Sequence, residues 1–207
     1  MKIQKPNTSF QIVAHRGLSQ KYPENTVEGF KAALMQHIDM LEIDVHFTKD
    51  KQLVVIHDDS IDRTSNQKGK VKDFTLEELK QFDFGIRHGE TFKNTRISTF
   101  SEVLSLFKNY SKTLLIEIKK PEQYPGIEKA LLEELDKFQI PSHRVIIQSF
   151  DVESVKRMSE YTKKYALGVL ISKKQYWYKQ PDFENIASFA QFINPNYKLI
   201  NKKFIKR

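Results

Sequence analysis

Short apolar runs rich in Ile, Val and Leu recur along the chain, with segments of helical apolar spacing between them. This alternation is typical of a parallel sheet wrapped by helices. The sequence therefore predicts an α/β fold. Seven strands are predicted, near residues 12–15, 41–47, 53–57, 113–119, 144–149, 165–171 and 192–194.

Capping patterns and apolar spacing predict the helices between these strands. Asn25, Thr75 and Thr99 are each followed three residues later by a glutamate, as at helix starts. The longest connection without a clear sheet or core-helix pattern, residues 58–97, is of a length that is commonly functional. Three helical faces are predicted to be buried: Phe30, Ala33, Leu34 and Ile38; Val103, Leu104 and Phe107; and Leu131, Leu135 and Phe138.

Length and composition restrict the class of protein. A chain of 207 residues with 39% hydrophobic content suffices for one domain, residues 1–207. It has neither a run of about 18 apolar residues nor a signal-peptide block, so we expect no stable membrane insertion and a cytoplasmic location. With no cysteine, any metal must be bound by oxygen or imidazole.

The formal net charge of +8 is spread along the whole chain. This distribution favours a solvated basic surface over a nucleic-acid partner. A nucleic-acid-binding domain would rest on net charge alone, since no binding motif is recognisable. We interpret the basic tail, residues 198–207, as part of an amphipathic helix.

The segment Leu41-Glu42-Ile43-Asp44-Val45 places two carboxylates on one side of a predicted strand, because side chains alternate with a period of two. Taken alone, the pattern more often indicates an ordinary antiparallel strand with one wet face. The segment 115–119 repeats it, with Glu117 and Lys119 on one side. Two further apolar runs lead directly into His57 and into His15-Arg16.

Four predicted strands thus end in ionisable groups. The carboxyl ends of the strands of a parallel barrel meet at one mouth, where active sites are built. Three carboxylates there repel one another unless a cation neutralises them, which predicts a divalent metal. Oxygen ligands favour calcium, magnesium or manganese over zinc.

Histidines and cationic side chains beside such a metal suit cleavage of an anionic ester. Arg16, Lys119 and the metal would stabilise charge on phosphate oxygens, and the imidazoles would act as general acid and base. Each group also has a simpler interpretation. A histidine at a strand end is usually a structural residue, and Lys119 could merely neutralise Glu117.

A series of short motifs resembles the signature of the glycerophosphodiester phosphodiesterase family: His15-Arg16-Gly17, Pro23-Glu24-Asn25-Thr26, Glu42-Ile43-Asp44-Val45 and His57-Asp58. The resemblance covers nearly the whole chain. Residues farther along also fall where the family pattern has similar residues: Arg63-Thr64, Gly69, Leu76 with Leu79, Gly85, Glu117-Ile118-Lys119, Gln148-Ser149-Phe150 and Asn194-Pro195.

The resemblance implies a TIM-type (β/α) barrel with a small insertion after strand 3, residues 58–97. It implies metal-dependent hydrolysis of a small glycerophosphodiester, such as glycerophosphocholine, to glycerol 3-phosphate and an alcohol. The cofactor would be one divalent cation, Ca²⁺ or Mg²⁺, with Mn²⁺ as a third choice. The implied roles are metal ligands Glu42, Asp44 and Glu117; acid and base His15 and His57, in either order; and phosphate contacts Arg16 and Lys119.

The aromatic run Tyr176-Trp177-Tyr178 follows the sixth predicted strand. It could line the pocket for the alcohol group and stack on a quaternary ammonium. A hydrophobic cluster under a loop is at least an equal interpretation.

The family's barrel has eight strands, and we expect the eighth strand and last helix to be absent here. The first and seventh strands would then have unpaired edges. One expectation is a homo-oligomer that closes the open edge; another is a fragment. The alternative function is a catalytically impaired barrel that binds phosphodiesters or a protein.

Overall fold

Eight strands form one sheet in the computed structural model, which describes residues 10–176 and 180–200. The strands are β1 Val13–His15, β2 Met40–Phe47, β3 Leu53–Val55, β4 Ser98–Thr99, β5 Thr113–Ile118, β6 Val145–Ser149, β7 Ala166–Ile171 and β8 Phe192–Pro195. The helices are α1 Val27–Leu34, α2 Leu76–Gln81, α3 Phe100–Phe107, α4 Ile127–Lys137, α5 Val152–Tyr161 and α6 Phe183–Ala187.

The parallel part of the sheet follows the order β1-β2-β5-β6-β7-β8. All seven predicted strands are present, and β4, of two residues, is additional. Among the described residues, no backbone ladder joins β8 to β1. Of the basic tail, residues 201–207 lie outside the described residues.

The strand β3 does not run in the predicted direction. It is antiparallel to β2, with Val55 opposite Val45 and Leu53 opposite Phe47. The connection, residues 48–52, is a hairpin, whereas a parallel crossover needs about a dozen residues or more. Interpreting residues 53–57 as a parallel barrel strand was therefore wrong. The hairpin returns the chain along β2 to the mouth, where His57 follows β3.

The helical faces predicted from apolar spacing lie in the main core. Phe30, Phe100 and Phe107 are fully buried, so α1 and α3 cover one side of the sheet with large apolar side chains. Two of the predicted residues lie just beyond their helices: Ile38 follows α1 and is buried, and Phe138 directly follows α4 and is half-buried.

Two of the three predicted helix starts are confirmed. Thr75 and Thr99 each form a capping box with the glutamate three residues later. The prediction for Asn25 is wrong by one residue, because the hydroxyl of Thr26 accepts the hydrogen bond from the N–H of Gly29. Asn25 instead lies in the left-handed region, with a φ of 56°.

The predicted insertion, residues 58–97, connects β3 to β4 and has a small core of its own. Its buried residues Ile61, Val71, Leu79, Phe84 and Ile97 pack with Val54 of β3 and with Ile56, which follows β3. The carboxylate of Asp83 organises the second half by accepting hydrogen bonds from the N–H groups of Gly85, Ile86 and Asn94 at 2.7–3.1 Å. None of the helices in the described ranges is long and apolar enough to cross a membrane.

Gly85 provides a test of this insertion. A Cβ atom at Gly85 would lie 1.9 Å from the carbonyl oxygen of Phe92, so the backbone would have to move. We expect Gly85→Ala to lower the free energy of unfolding by about 1–3 kcal/mol, measured by urea denaturation. The matched control is Gly168→Ala, where a Cβ would come no closer than 3.4 Å to Phe192. Equal stability of the two variants would contradict the close approach.

Candidate functional site

Three buried carboxylates meet at the mouth of the sheet. Glu42 and Asp44 lie on the same side of β2, and Glu117 lies on β5 directly beside Asp44. One oxygen from each lies within 4.8 Å of the others. The alternating pattern thus predicts their common location correctly, and burial of β2 from Leu41 to Phe47 excludes a wet-faced strand.

Two cationic side chains approach these carboxylates. Lys119 Nζ lies 2.6 Å from Glu117 Oε1 and 3.0 Å from Asp44 Oδ1, and Arg16 Nε lies 3.4 Å from Asp44 Oδ2. Burial alone would raise the pKa of Asp44, but Lys119 and Asn25 outweigh it and hold that pKa below its ordinary value. The ion pair between Lys119 and Glu117, which the sequence offered as the simpler role of Lys119, is therefore present.

The pKa of Glu42 indicates that Arg16 and Lys119 do not fully offset the negative charge of the three carboxylates. Burial, reinforced by the charge of Asp44, raises the pKa of Glu42 to about 8. Burial also raises the pKa of Glu117. A buried set of three carboxylate donors within 4.8 Å suits a hard divalent cation, which would favour the ionised form of all three.

The turn after β1 places His15 and Arg16 beside Glu42. Arg16 has a left-handed φ of 58°, and its N–H donates to Glu42 Oε2 at 2.9 Å. Gly17, at a φ of 84°, is required because a Cβ there would lie 2.9 Å from the backbone of Gly29 in α1. His15 remains exposed, with Nε2 3.9 Å from Glu42 Oε2. The part of the ring that is removed from water lowers the pKa of His15, and the positive charge of Arg16 lowers it further.

Asn25 belongs to the site rather than to a helix cap. Its amide Nδ2 donates to Asp44 Oδ2 at 2.9 Å. The left-handed backbone, which asparagine tolerates better than most residues, directs the side chain toward β2. Sequence reasoning missed this contact, although the Pro-Glu-Asn-Thr motif marked the position.

His57 is held by the residue that follows it. Asp58 Oδ1 lies 2.6 Å from His57 Nδ1. Burial raises the pKa of Asp58, but hydrogen bonds from Arg63 and His57 outweigh it and bring that pKa to about 2. The ionised carboxylate accepts a hydrogen bond from Nδ1–H, so Nε2 is the ring nitrogen left for other contacts.

His46, for which the sequence predicts no role, contacts the backbone of His57. Its Nε2 lies 3.2 Å from the carbonyl oxygen of His57, and its Nδ1 lies 3.0 Å from the hydroxyl of Tyr124. If Nε2–H donates to the carbonyl, Nδ1 accepts from the tyrosine hydroxyl. Burial lowers the pKa of His46 to about 4, in agreement with a neutral ring. Nothing in the sequence links Tyr124 to His46.

A cavity of about 600 Å³ opens beside the carboxylates, and a groove of about 1160 Å³ continues along the mouth. His57, Glu117, Lys119 and Phe150 line both. Of the predicted aromatic run, Tyr176 packs against the main core, while residues 177–179 lie outside the described residues. All seven predicted site residues therefore lie in or beside one open cavity.

Known proteins are similar to this chain in sequence and in fold. The model of the glycerophosphoryl diester phosphodiesterase family matches residues 15–207. YhdW of Bacillus subtilis is 40% identical over 94% of this chain and 79% of its own length. A glycerophosphodiester phosphodiesterase of Caldanaerobacter subterraneus is 46% identical over 73% of this chain and 64% of its own.

The chain belongs to the glycerophosphoryl diester phosphodiesterase family.

A solved phosphodiesterase structure from Oleispira antarctica, in complex with the product sn-glycerol-3-phosphate, superposes with a TM-score of 0.83. It is 26% identical, and the match covers 95% of this chain and 79% of that one. The α/β sheet described above is accordingly that of a TIM-type barrel. As a member of this family, the protein is an enzyme of the phosphodiester hydrolase class.

Tyr124 tests the support beneath His57 in this phosphodiesterase. We expect Tyr124→Phe to lower the free energy of unfolding by about 1–3 kcal/mol, because the buried Nδ1 of His46 loses its donor. Thermal unfolding measures the change. Tyr165→Phe is the control, since its hydroxyl makes only a 3.3 Å contact with Asp136. A Tyr124→Phe variant as stable as the wild type would show that water or another group replaces the hydroxyl.

Proposed function

We propose that the enzyme hydrolyses glycerophosphodiesters to glycerol 3-phosphate and an alcohol, with one divalent cation bound by Glu42, Asp44 and Glu117. The observation that supports this most directly is the buried carboxylate cluster with two histidines and two cations around one cavity. The product bound to the Oleispira antarctica relative supports the glycerol phosphate half of the substrate. Cytoplasmic location and a homo-oligomer stay predictions of the sequence.

Carboxylate oxygens alone favour Ca²⁺ or Mg²⁺ as the ion, with Mn²⁺ as the third choice. When bound, the cation supplies Lewis-acid stabilisation of charge on the non-bridging phosphate oxygens. The ionised forms of Glu42 and Glu117 would then be favoured despite burial. Asn25 keeps Asp44 oriented through its 2.9 Å hydrogen bond.

Arg16 and Lys119 would bind the phosphate of the substrate. Both side chains are largely buried, and both line the cavity. Each lies between carboxylates, which fix its position before the substrate arrives. Charged donors that are held in place in this way stabilise developing charge without reorganisation.

His15 and His57 would transfer the two protons of the reaction. One imidazole takes a proton from the attacking oxygen as its bond to phosphorus forms. The other gives a proton to the alcohol oxygen as the bond from phosphorus to that oxygen breaks. Asp58 keeps the hydrogen of neutral His57 on Nδ1, so Nε2 performs the transfer. Either histidine can take either role in this geometry.

Activity is tested by the release of glycerol 3-phosphate from glycerophosphocholine with Ca²⁺, Mg²⁺, Mn²⁺ or EDTA. We expect metal-dependent release that falls about 10²–10⁴-fold in His15→Ala and His57→Ala and is abolished in Glu42→Ala. The control is His37→Ala, an exposed residue between α1 and β2, at the end of β2 away from the mouth. Folded wild-type protein that binds glycerophosphocholine without turnover would instead support the impaired barrel.

Cation binding is tested separately by thermal unfolding. A cation that binds only the folded state at 100 times its dissociation constant adds about 2.7 kcal/mol to the free energy of unfolding. We expect the preferred ion to raise the melting temperature of the wild type but not of Glu117→Gln. Glu128→Gln is the matched control, because Glu128 is equally buried but pairs with Ser154 and Arg157. An equal shift in both variants would rule out the proposed ligand set.

A further inference from the structure

Arg63, in the insertion between β3 and β4, contacts two carboxylates from different parts of the chain. Its Nη1 and Nη2 donate to Glu24 at 2.7 and 2.8 Å, and its Nε donates to Asp58 Oδ2 at 2.7 Å. Glu24 lies in the loop after β1 and Asp58 follows β3. One guanidinium therefore joins the start of the insertion to the loop after β1, and its planar fork can satisfy both acceptors at once.

Each of these carboxylates also contacts a residue of the proposed site. Asp58 accepts the hydrogen bond from Nδ1–H of His57 at 2.6 Å. Glu24 Oε1 accepts from Arg16 Nη1 at 3.2 Å, and the same oxygen accepts from Arg63. Arg63 itself does not line the cavity of about 600 Å³. The hydrogen bonds that connect Arg63 to the proposed site residues run through Asp58 to His57 and through Glu24 to Arg16.

Removal of Arg63 would change how the charge of Arg16 is neutralised. Glu24 is shared between the guanidinium groups of Arg16 and Arg63, so its single negative charge does not neutralise Arg16 alone. Removal of Arg63 would leave Glu24 to pair with Arg16 alone. The positive charge of Arg16, which is proposed to bind the phosphate, would then be neutralised by Glu24. Asp58 would lose the hydrogen bond from Arg63 that fixes its orientation.

We propose that Arg63 is a positioning residue that orients His57 through Asp58 and leaves the charge of Arg16 available to the phosphate by sharing Glu24. The inference rests on the proposed function for its effect on turnover. Its effect on the imidazole of His57 does not require turnover. The two consequences can therefore be measured separately.

The kinetic experiment compares Arg63→Gln with Arg87→Gln, which removes the same charge from the same insertion. Within the described part of the chain, Arg87 donates only to the carbonyl oxygen of Ser65, so we expect Arg87→Gln to leave kcat and KM at their wild-type values. For Arg63→Gln we expect kcat for glycerophosphocholine to fall about 10- to 100-fold, and KM to rise.

A second substitution separates charge sharing from general damage to the fold. In Glu24→Gln/Arg63→Gln, Arg16 is no longer neutralised by Glu24 and keeps only its contact with Asp44, as in the wild type. We therefore expect KM to return toward the wild-type value while kcat stays low. A purely structural role predicts the reverse, since the double variant would have lost more contacts. Wild-type kinetics in Arg63→Gln, or a KM in the double variant above that of the single variant, would overturn the proposal.

The readout that does not depend on turnover is the tautomer of His57, from ¹⁵N NMR chemical shifts above the titration range of histidine. We expect the Nδ1–H tautomer to dominate in the wild type and in Arg87→Gln, and a mixture of tautomers in Arg63→Gln. An inactive wild type with this pattern would refute the proposed function and leave the role of Arg63 intact. The same single tautomer in all three proteins would refute the role of Arg63.

Discussion

Three buried carboxylates within 4.8 Å of one another are electrostatically unfavourable by themselves. The residues around them are arranged to offset that cost. Lys119 pairs with two members, Arg16 and Asn25 contact Asp44, and the N–H of Arg16 donates to Glu42. Much of the mouth is thus organised by charge compensation rather than by apolar packing.

The divided construction of the site follows from this requirement. Strands β2 and β5 hold the carboxylates, because neighbouring parallel strands fix Asp44 and Glu117 side by side. Lys119 directly follows β5, whereas Arg16 and Asn25 come from turns, where the backbone takes left-handed conformations. The turn after β1 packs against α1, where Gly17 closely approaches Gly29.

The common location of the carboxylates is predictable because strand parity places Glu42 and Asp44 on one side of β2, and the ends of parallel strands meet at one mouth. The direction of β3 was misjudged, although the sequence contains the signal: only residues 48–52 separate β2 from β3, too few for a parallel crossover. The spacing of Asn25 to Glu28 predicts a cap at Asn25, but the next residue, Thr26, is also a good capping residue and is the one that caps α1. The contacts of Tyr124 and Arg63 join segments distant in sequence, so no local pattern could reveal them.

The antiparallel hairpin gives the insertion its connection to the chemistry. Since β3 returns toward the mouth, His57 is followed at once by a segment with its own small core rather than by a helix of the barrel. The backbone of His57 is fixed from the barrel side by His46, and its ring is fixed from the insertion side by Asp58. The orientation of the His57 ring in the cavity thus depends on both the contact with His46 and the hydrogen bond to Asp58. The stability of the small core therefore bears on the orientation of His57 as well as on folding.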